Sequence, residues 1–407
     1  MPRTISASPA TRFPRIAVTT VAVLGLMATP QLAAQESGGE TAGSALSSGS
    51  SDAQLSAELL SGSSDNTSST NGSSLRGLMS SLSILGSSEL PLSGNMVVTD
   101  DAYPLQLDES ISTPAIVSKE SEGGRLERWT IASPAMARNV EVQIMLPADP
   151  ATPAPLLYLL DGVDAHRDSE WLSGGRAGTF FADENVTLVM PTQARASMYS
   201  DWESDDPALG RHRWETFLAE ELPPLLQSDP ALNHNGKSGI GGLSMGASGA
   251  VHLANSNPEL FDAVFGLSGC YSTMDPVGRY TAQLTVESRG GEVDNLWGPF
   301  GSEAWHEHDV VADPSGLEEM AVYLSSANGE YQLNPDADYS DANPQTMLTS
   351  IVLEQGAQVC TQNLQAAMEE AGMSHQVVEY TGAGVHNWAN FAPQLPAAWE
   401  TIREALY

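Results

Sequence analysis

Residues 238–256 read SGIGGLSMGASGAVHLANS, with the pentapeptide Gly242-Leu243-Ser244-Met245-Gly246 near their centre. A short run of strand character precedes the pentapeptide and an Ala/Gly-rich segment of helical length follows it, which is the strand-turn-helix context of a nucleophile elbow. The glycines are needed because the turn is tight and a Cβ there would meet neighbouring backbone. The stretch predicts that Ser244 is an activated nucleophile, with a helix N-terminus behind it that favours negative charge.

Outward from this stretch, strand-like and helix-like segments alternate along the chain. Strands are expected at 125–131, 140–146, 155–160, 186–190, 239–243, 263–267, 320–325 and 376–380, and helices at 213–227, 245–256, 343–371 and 394–405. Such alternation favours a parallel sheet covered on both faces. Together with the elbow it predicts an α/β-hydrolase fold, a mostly parallel central sheet with helices on both faces. The first two strands, joined by a short Ser-Pro turn, are expected to form an antiparallel hairpin.

The first hundred residues differ from the rest in composition. Arg3, Arg12 and Arg15 precede an apolar run at 16–28, and the small residues around Ala34 suit cleavage, so 1–34 are predicted to be a signal peptide. The run is 13 residues long, which is too short to span a bilayer, since a spanning helix takes about 20. Residues 35–98 are rich in Ser and Gly and predict a disordered tether. Residues 99–407 are the expected catalytic domain, secreted to the cell envelope or the extracellular space.

The net charge disfavours two classes of binding partner, and the cysteine content predicts a disulfide. The net charge is −34, which disfavours binding to nucleic acid or anionic lipid. No EF-hand-like spacing of carboxylates occurs, and we expect neither a metal nor a cofactor. Cys270 and Cys360 are the two cysteines of the chain. In an exported protein such a pair predicts a disulfide, which would stabilise the fold by about 4–5 kcal/mol on the chain-entropy model.

A serine hydroxyl needs an adjacent base to take its proton. In a fold of this type the histidine follows the last strand, and His386 is the one of eight histidines in that position. His306 and His308 precede the penultimate strand, the wrong chain order, and His252 lies two turns into the elbow helix, where a structural role is expected. The sequence therefore predicts His386 as the general base.

The remaining parts of an acyl-transfer site are an acid and an oxyanion hole. Chain order confines the acid to residues between Met320 and His386, and the residues alone leave Glu330, Asp336, Asp338, Asp341 and Glu354 open. The oxyanion hole requires two backbone N–H groups. One is expected from Met245, the residue after the nucleophile, and the other from Val163, in the loop after the strand at 155–160.

Several longer strings make the chain resemble a known family. They are Ser133-Pro-Ala-Met-Ala-Arg138, Tyr158-Leu-Leu-Asp-Gly162, Met190-Pro191, Tyr199-Ser-Asp-Trp202, Trp214-Glu-Thr-Phe-Leu218, Glu221-Leu-Pro223, Gly242-Leu-Ser-Met245, Leu296-Trp-Gly-Pro299 and His386-Asn-Trp388. In this order they resemble the secreted antigen 85-type mycolyltransferases of mycolic-acid-bearing actinobacteria. The resemblance covers 125–406 and implies the same fold and acyl-transfer chemistry.

The resemblance also assigns residues and substrates. It implies Glu354 as the acid of the triad, within Val352-Leu353-Glu354, and places Asp161 and Trp388 in a sugar-binding cleft. The implied reaction moves a mycolyl chain from trehalose monomycolate through Ser244 to a second trehalose monomycolate, giving the dimycolate, or to cell-wall arabinan. Envelope proteins and related acyl glycolipids are further candidate acceptors.

Two departures from the family pattern concern the acceptor side. Asp164 stands where the family commonly has an arginine that helps to hold the sugar, and the stretch before His386 is shorter. A secreted carboxylesterase with the same triad is therefore the alternative, and a non-catalytic envelope adhesin is a third hypothesis, disfavoured by the intact triad. We also expect the Cys270–Cys360 disulfide to brace the helix that carries Glu354.

Overall fold

A computed structural model describes residues 102–331 and 344–407. The predicted signal peptide and tether lie outside the described residues, as do three of the candidate acids, Asp336, Asp338 and Asp341. No helix within the described residues is both long and apolar enough to cross a membrane.

One mixed sheet organises the domain. Its nine strands are β1 (Ala115–Gly123), β2 (Leu126–Ser133), β3 (Arg138–Met145), β4 (Ala154–Leu160), β5 (Thr187–Pro191), β6 (His234–Leu243), β7 (Ala263–Leu267), β8 (Ala321–Ser326) and β9 (Val377–Tyr380). Their order is β1-β2-β3-β5-β4-β6-β7-β8-β9. Strands β4 to β9 pair in parallel, whereas β1, β2 and β3 form an antiparallel meander that joins β5. The expected α/β sheet and the expected antiparallel pairing of β2 with β3 are confirmed.

Helices cover both faces of this sheet. They are α1 (Glu170–Ser173), α2 (Ala177–Phe180), α3 (Trp214–Thr216), α4 (Leu222–Gln227), α5 (Met245–Ser256), α6 (Pro276–Glu287), α7 (Val293–Trp297), α8 (Glu303–Glu307), α9 (Pro344–Glu370), α10 (Trp388–Phe391) and α11 (Leu395–Leu406). Alternate residues of β4 separate the two cores. Leu156 and Leu160 belong to the core that contains α5, and Leu157 and Leu159 to the core beneath α11.

Two segments differ from their predicted structure. β1 was not predicted, since it is an edge strand whose residues are exposed or half-buried and show no apolar run. The single helix expected over 213–227 is instead α3, a π-helical turn at Phe217–Glu221 and α4. Pro223 and Pro224 lack the N–H groups that a continuous helix would need, and Leu222 N donates to Phe217 O with the wider i→i−5 spacing.

The parallel strands end at one edge of the sheet, where ligand sites of open α/β sheets occur. Asp161 follows β4, Ser244 follows β6, Ser268 follows β7 and Ala327 follows β8. The candidate site is therefore assembled from loops at this carboxyl edge.

Candidate active site

Ser244 occupies a tight turn between β6 and α5. Its backbone has φ 54° and ψ −123°. A positive φ is energetically costly for a residue with a Cβ, and such conformations recur at functional sites. A Cβ on Gly242 would lie 2.3 Å from the carbonyl of Gly246, and a Cβ on Gly246 would lie 2.3 Å from Leu160 O. Both glycines are thus required by close backbone contacts, as expected for an elbow.

His386 lies beside Ser244, 142 residues later in the chain. Its Nε2 is 2.7 Å from Ser244 Oγ. The backbone N–H of His386 donates to Ser350 O in α9, which fixes the loop after β9 against that helix. Phe391 packs edge-on against the imidazole, with ring centroids 5.0 Å apart. The structure thus brings the predicted base within hydrogen-bonding reach of the predicted nucleophile.

Glu354 completes the line of side chains. Its Oε2 is 2.8 Å from His386 Nδ1, and the residue is entirely buried. Its other oxygen, Oε1, accepts hydrogen bonds from Ser268 Oγ at 2.7 Å, Ala327 N at 2.7 Å and Asn390 Nδ2 at 3.0 Å. These donors compensate the carboxylate for its lost hydration. Of the other candidate acids in the described residues, Glu330 is exposed.

The string His386-Asn387-Trp388 starts a short helix at the site. Asn387 caps α10 by accepting from Asn390 N at 3.2 Å, which in turn positions the Asn390 side chain on Glu354. Trp388 Nε1 donates to Glu170 Oε2 at 3.3 Å, and the indole packs edge-on against Trp171 with centroids 5.4 Å apart. Trp388 is half-buried, and its predicted contact with a sugar stays a prediction.

The loop after β4 passes directly beside Ser244. A Cβ on Gly162 would lie 3.8 Å from Ser244 Cβ, and the next residue is Val163, whose carbonyl accepts from Ala196 N at 2.9 Å. Met245 is the first residue of α5, so its N–H has no acceptor within the helix. Both predicted oxyanion donors therefore belong to segments that adjoin Ser244.

Asp161 is the residue after β4 that the resemblance placed in a sugar-binding cleft. It is fully buried, and among the described residues neither carboxylate oxygen has a hydrogen-bond partner of good geometry, although Ser169 and the Trp171 N–H lie near. Burial raises the pKa of Asp161 to about 8, with the nearby Glu170 adding to the effect. A sugar would reach this carboxyl group only after the covering groups move, and the predicted role stays a prediction.

Asp164, the departure from the family pattern, is paired across the fold. Arg289 donates through Nε to Oδ1 at 2.8 Å and through Nη2 to Oδ2 at 2.9 Å. Burial alone would raise the pKa of Asp164, but the Arg289 guanidinium outweighs it and the pKa lies below its usual value. The acid therefore brings an arginine, from a distant part of the sequence, to the loop that carries Val163.

The predicted disulfide is present. Cys270 and Cys360 are joined between the loop after β7 and helix α9, with Cα atoms 4.8 Å apart. Cys270 lies two residues after Ser268, which donates to Glu354, and Cys360 lies six residues after Glu354. The covalent link thus spans the two segments whose side chains meet at the buried carboxylate.

Two contributors to the site were missed in the sequence. Ser268 follows β7 and has φ 54°, and Asn390 lies in α10; both donate to Glu354. Chain position gave a signal for Ser268, because the residue after a central parallel strand lies at the carboxyl edge. The arrangement of all these groups suits nucleophilic acyl transfer, because the hydroxyl, the imidazole and the carboxyl group form one continuous line of hydrogen bonds.

Comparisons with known proteins agree with this geometry. Residues 133–402 match the family described as "Putative esterase". The diacylglycerol acyltransferase/mycolyltransferase Ag85A of Mycobacterium tuberculosis is 30% identical over 290 residues, covering 69% of this chain and 81% of that protein. Its counterpart in Mycobacterium leprae is 29% identical over 281 residues, covering 66% of this chain and 80% of that protein.

Two solved structures share the fold. Mycobacterium tuberculosis MPT51 (FbpC1) superimposes with a TM-score of 0.58 at 24% identity, covering 70% of this chain and all of that chain. An S-formylglutathione hydrolase from Agrobacterium tumefaciens superimposes with a TM-score of 0.50 at 16% identity, covering 70% of this chain and 99% of that chain. The chain therefore belongs to the esterase family that its sequence matches and, within it, to the antigen 85 type, whose chemistry is acyl transfer or ester cleavage.

Proposed function

We propose that this enzyme is a mycolyltransferase that uses Ser244, His386 and Glu354 as its catalytic triad. The observation that carries the proposal is the hydrogen-bonded line Ser244–His386–Glu354 at the strand-turn-helix elbow, with 2.7 Å and 2.8 Å between its members. The similarity to a diacylglycerol acyltransferase/mycolyltransferase supports a long-chain acyl donor.

In the first half-reaction Ser244 Oγ attacks the ester carbonyl of trehalose monomycolate. Its proton passes to His386 Nε2 as the Oγ–C bond forms, and the carbonyl oxygen becomes an oxyanion. The N–H groups of Met245 and Val163 would donate to this oxyanion; removing one such donor typically costs about 2.7–4 kcal/mol. Collapse of the intermediate expels trehalose, whose leaving oxygen takes the proton from His386, and leaves the mycolyl ester on Ser244.

In the second half-reaction an acceptor hydroxyl replaces the trehalose. His386 takes the proton of that hydroxyl, the acceptor oxygen attacks the acyl-enzyme carbonyl, and Ser244 Oγ leaves with the proton returned from His386. Glu354 holds Nδ1 of the imidazole throughout and stabilises the imidazolium that forms in each half-reaction. A second trehalose monomycolate, cell-wall arabinan or an envelope protein supplies the hydroxyl in this proposal.

Transfer requires that the acceptor outcompete water for the acyl-enzyme. The loop beside Ser244 carries the Asp164–Arg289 ion pair in place of a single arginine, which gives the acceptor side both a carboxylate and a guanidinium. We propose that this pair changes how the acceptor sugar is held. We also propose that residues 1–34 direct export and that 35–98 tether the catalytic domain, in keeping with a substrate of the cell envelope.

The test is product analysis with purified enzyme and trehalose monomycolate, with and without a protein acceptor. The proposal expects trehalose dimycolate or an acylated acceptor, and free trehalose in equal amount. Free mycolic acid as the sole acyl product would overturn the transferase and leave the carboxylesterase.

A second experiment separates both enzymes from an adhesin. A fluorophosphonate probe should label the wild-type protein and fail to label the Ser244→Ala variant. Absence of labelling in the wild type would refute Ser244 as an activated nucleophile. Ser256→Ala is the control, because Ser256 is exposed at the far end of helix α5 and the substitution removes a serine hydroxyl twelve residues after Ser244.

A further inference from the structure

A second cluster of imidazole and carboxylate groups lies away from Ser244, on the far part of helix α5. It consists of Glu215 in α3, His252 in α5 and His308 directly after α8. His252 Nε2 is 2.7 Å from Glu215 Oε1 and His308 Nε2 is 3.2 Å from Glu215 Oε2. The proposed acyl transfer uses none of these three residues.

The side chains of the cluster are held in place by other contacts. His308 Nδ1 donates to Ala304 O at 2.7 Å, so Nδ1 carries a proton, and Nε2 lies 3.3 Å from Ser200 Oγ as well as beside Glu215. The two imidazoles stack with centroids 4.3 Å apart. Glu215 Oε2 accepts from Asp201 N at 2.6 Å. A carbonyl that fixes the tautomer of a histidine, and a donor that orients a carboxylate, are the outer contacts typical of metal ligands.

The spacing of the ligand atoms suits a transition-metal ion. One atom from each residue lies within 4.8 Å of the other two. Ligands of a tetrahedral ion at bond lengths of about 2.0–2.1 Å are separated by about 3.3 Å. The Nε2 atoms of His252 and His308 lie 2.7 Å and 3.2 Å from the Glu215 oxygens, so an ion would have to widen the shorter of these separations. Two imidazoles and one carboxylate form the donor set that zinc takes in three-ligand sites, with a fourth position left open.

A small cavity lies beside the two imidazoles of the cluster. Its lining includes both imidazoles together with Ser248, Cys270 and Tyr271. A fourth ligand, such as a water molecule, would approach the imidazoles from this cavity.

We propose that Glu215, His252 and His308 bind a divalent transition-metal ion, Zn²⁺ in the first instance. The site is independent of the proposed acyl transfer. The site joins three segments that are separate in the sequence, so the ion would cross-link the segment around His308 to helix α5. Because the ion would bind only the folded state, it would stabilise the domain. The spacing of the ligands along the chain, 37 and then 56 residues, explains why no sequence motif indicated the site.

The acidic surface of the chain dictates the design of the test, because exposed carboxylates bind divalent ions weakly. The full-length protein is stripped with a chelator, equilibrated with Zn²⁺ in excess Mg²⁺ and separated from free metal, and bound zinc is measured by mass spectrometry. Mg²⁺ competes at oxygen-only sites and poorly at imidazole. The wild type should retain one zinc per chain, and the His252→Gln/His308→Gln variant none.

His306→Gln is the matched control. His306 is exposed in α8, two residues before His308, and its replacement should leave zinc binding unchanged. Equal zinc retention by the wild type and the double variant, or none in the wild type, would overturn the proposal.

A second measurement does not depend on the folding of any variant. Co²⁺ added to the metal-free wild type should give the visible absorption of a four-coordinate site, and one equivalent of Zn²⁺ should abolish it. The thermal unfolding midpoint should rise on the same titration. Absence of visible bands together with an unchanged midpoint would refute the site.

Discussion

Glu354→Gln is the substitution that tests the triad most directly, because it keeps the shape of the buried side chain and removes its charge. Either the oxygen or the NH₂ group of the glutamine amide faces His386. Ala327 N–H and Asn390 Nδ2 both donate to the present Oε1 position. Asn390 is itself fixed, since its Oδ1 accepts from Gln394 Nε2 at 3.1 Å.

The energies of the two orientations decide the outcome. With the amide nitrogen at the Oε1 position, two buried donors would face a third, at about 1–3 kcal/mol for each group left unsatisfied. The amide oxygen therefore stays at that position and the NH₂ group faces His386 Nδ1. Nδ1 must then accept, which moves the imidazole proton to Nε2, opposite Ser244. The base is held in the wrong tautomer, and a loss of about 10⁴-fold in kcat, equivalent to about 5.4 kcal/mol, is expected.

The assay is steady-state hydrolysis of a p-nitrophenyl ester, with circular dichroism and thermal unfolding to establish that the variant is folded. Glu370→Gln is the matched control, because Glu370 is exposed at the end of the same helix α9. A folded Glu354→Gln enzyme that keeps more than a tenth of wild-type kcat would refute the assignment of Glu354 as the acid.

Three further perturbations have definite expected outcomes. Gly246→Ala should reduce both stability and ester hydrolysis, because the new Cβ would meet the Leu160 carbonyl. Gly356→Ala is the control, because Gly356 lies inside α9 with ordinary contacts; this variant should be neutral or stabilising by about 0.5–1 kcal/mol in thermal unfolding. Replacing both cysteines by serine should cost about 4–5 kcal/mol on the chain-entropy model and lower kcat by loosening the support of Glu354; unchanged kcat and an unchanged unfolding midpoint would contradict the bracing role. Asp161 has its pKa raised to about 8 in the folded protein, against about 3.9 when unfolded, so its stabilising contribution is complete below pH 4 and is lost as the pH rises towards 8. The Asp161→Asn variant should therefore lose less unfolding free energy than the wild type between pH 5 and pH 8, and parallel pH profiles would show that the carboxyl group is ionised in the folded state.

The fold was predictable where burial leaves a pattern. Strands β4, β5 and β7 are short apolar runs because both faces of a central parallel strand are covered, and the sequence shows them as such. β1 was not predictable, since its exposed edge position removes the selection for apolar residues. Helices of four or five residues, such as α1 and α8, are too short to show a helical period.

The residues of the candidate site also differ in how well the sequence alone predicts them. Ser244 is marked by local backbone demands, and His386 by its position after the last strand. Glu354 carries no such mark, because it lies on helix α9 and chain order alone does not separate it from the other acids between Met320 and His386. Only the family resemblance pointed to it. The burial of Asp161 could not be predicted either, since the burial of a polar residue after a strand depends on segments that are distant in sequence.

Helix α5 starts directly after Ser244 and carries His252, so one His–Glu assembly lies at its start and the other lies further along it. A comparison of the two shows how similar side chains can serve different chemistry. At its start, His386 stands between one acid and one hydroxyl, so Glu354 fixes the proton on Nδ1 and leaves one lone pair on Nε2 directed at Ser244 Oγ. Two turns further on, His252 and His308 both direct Nε2 at the single carboxylate of Glu215. A general base needs one lone pair aimed at one proton, whereas a metal needs several lone pairs aimed at one point. What each imidazole faces, a hydroxyl in the first assembly and a shared carboxylate in the second, is therefore the basis for proposing proton transfer in one and ion binding in the other.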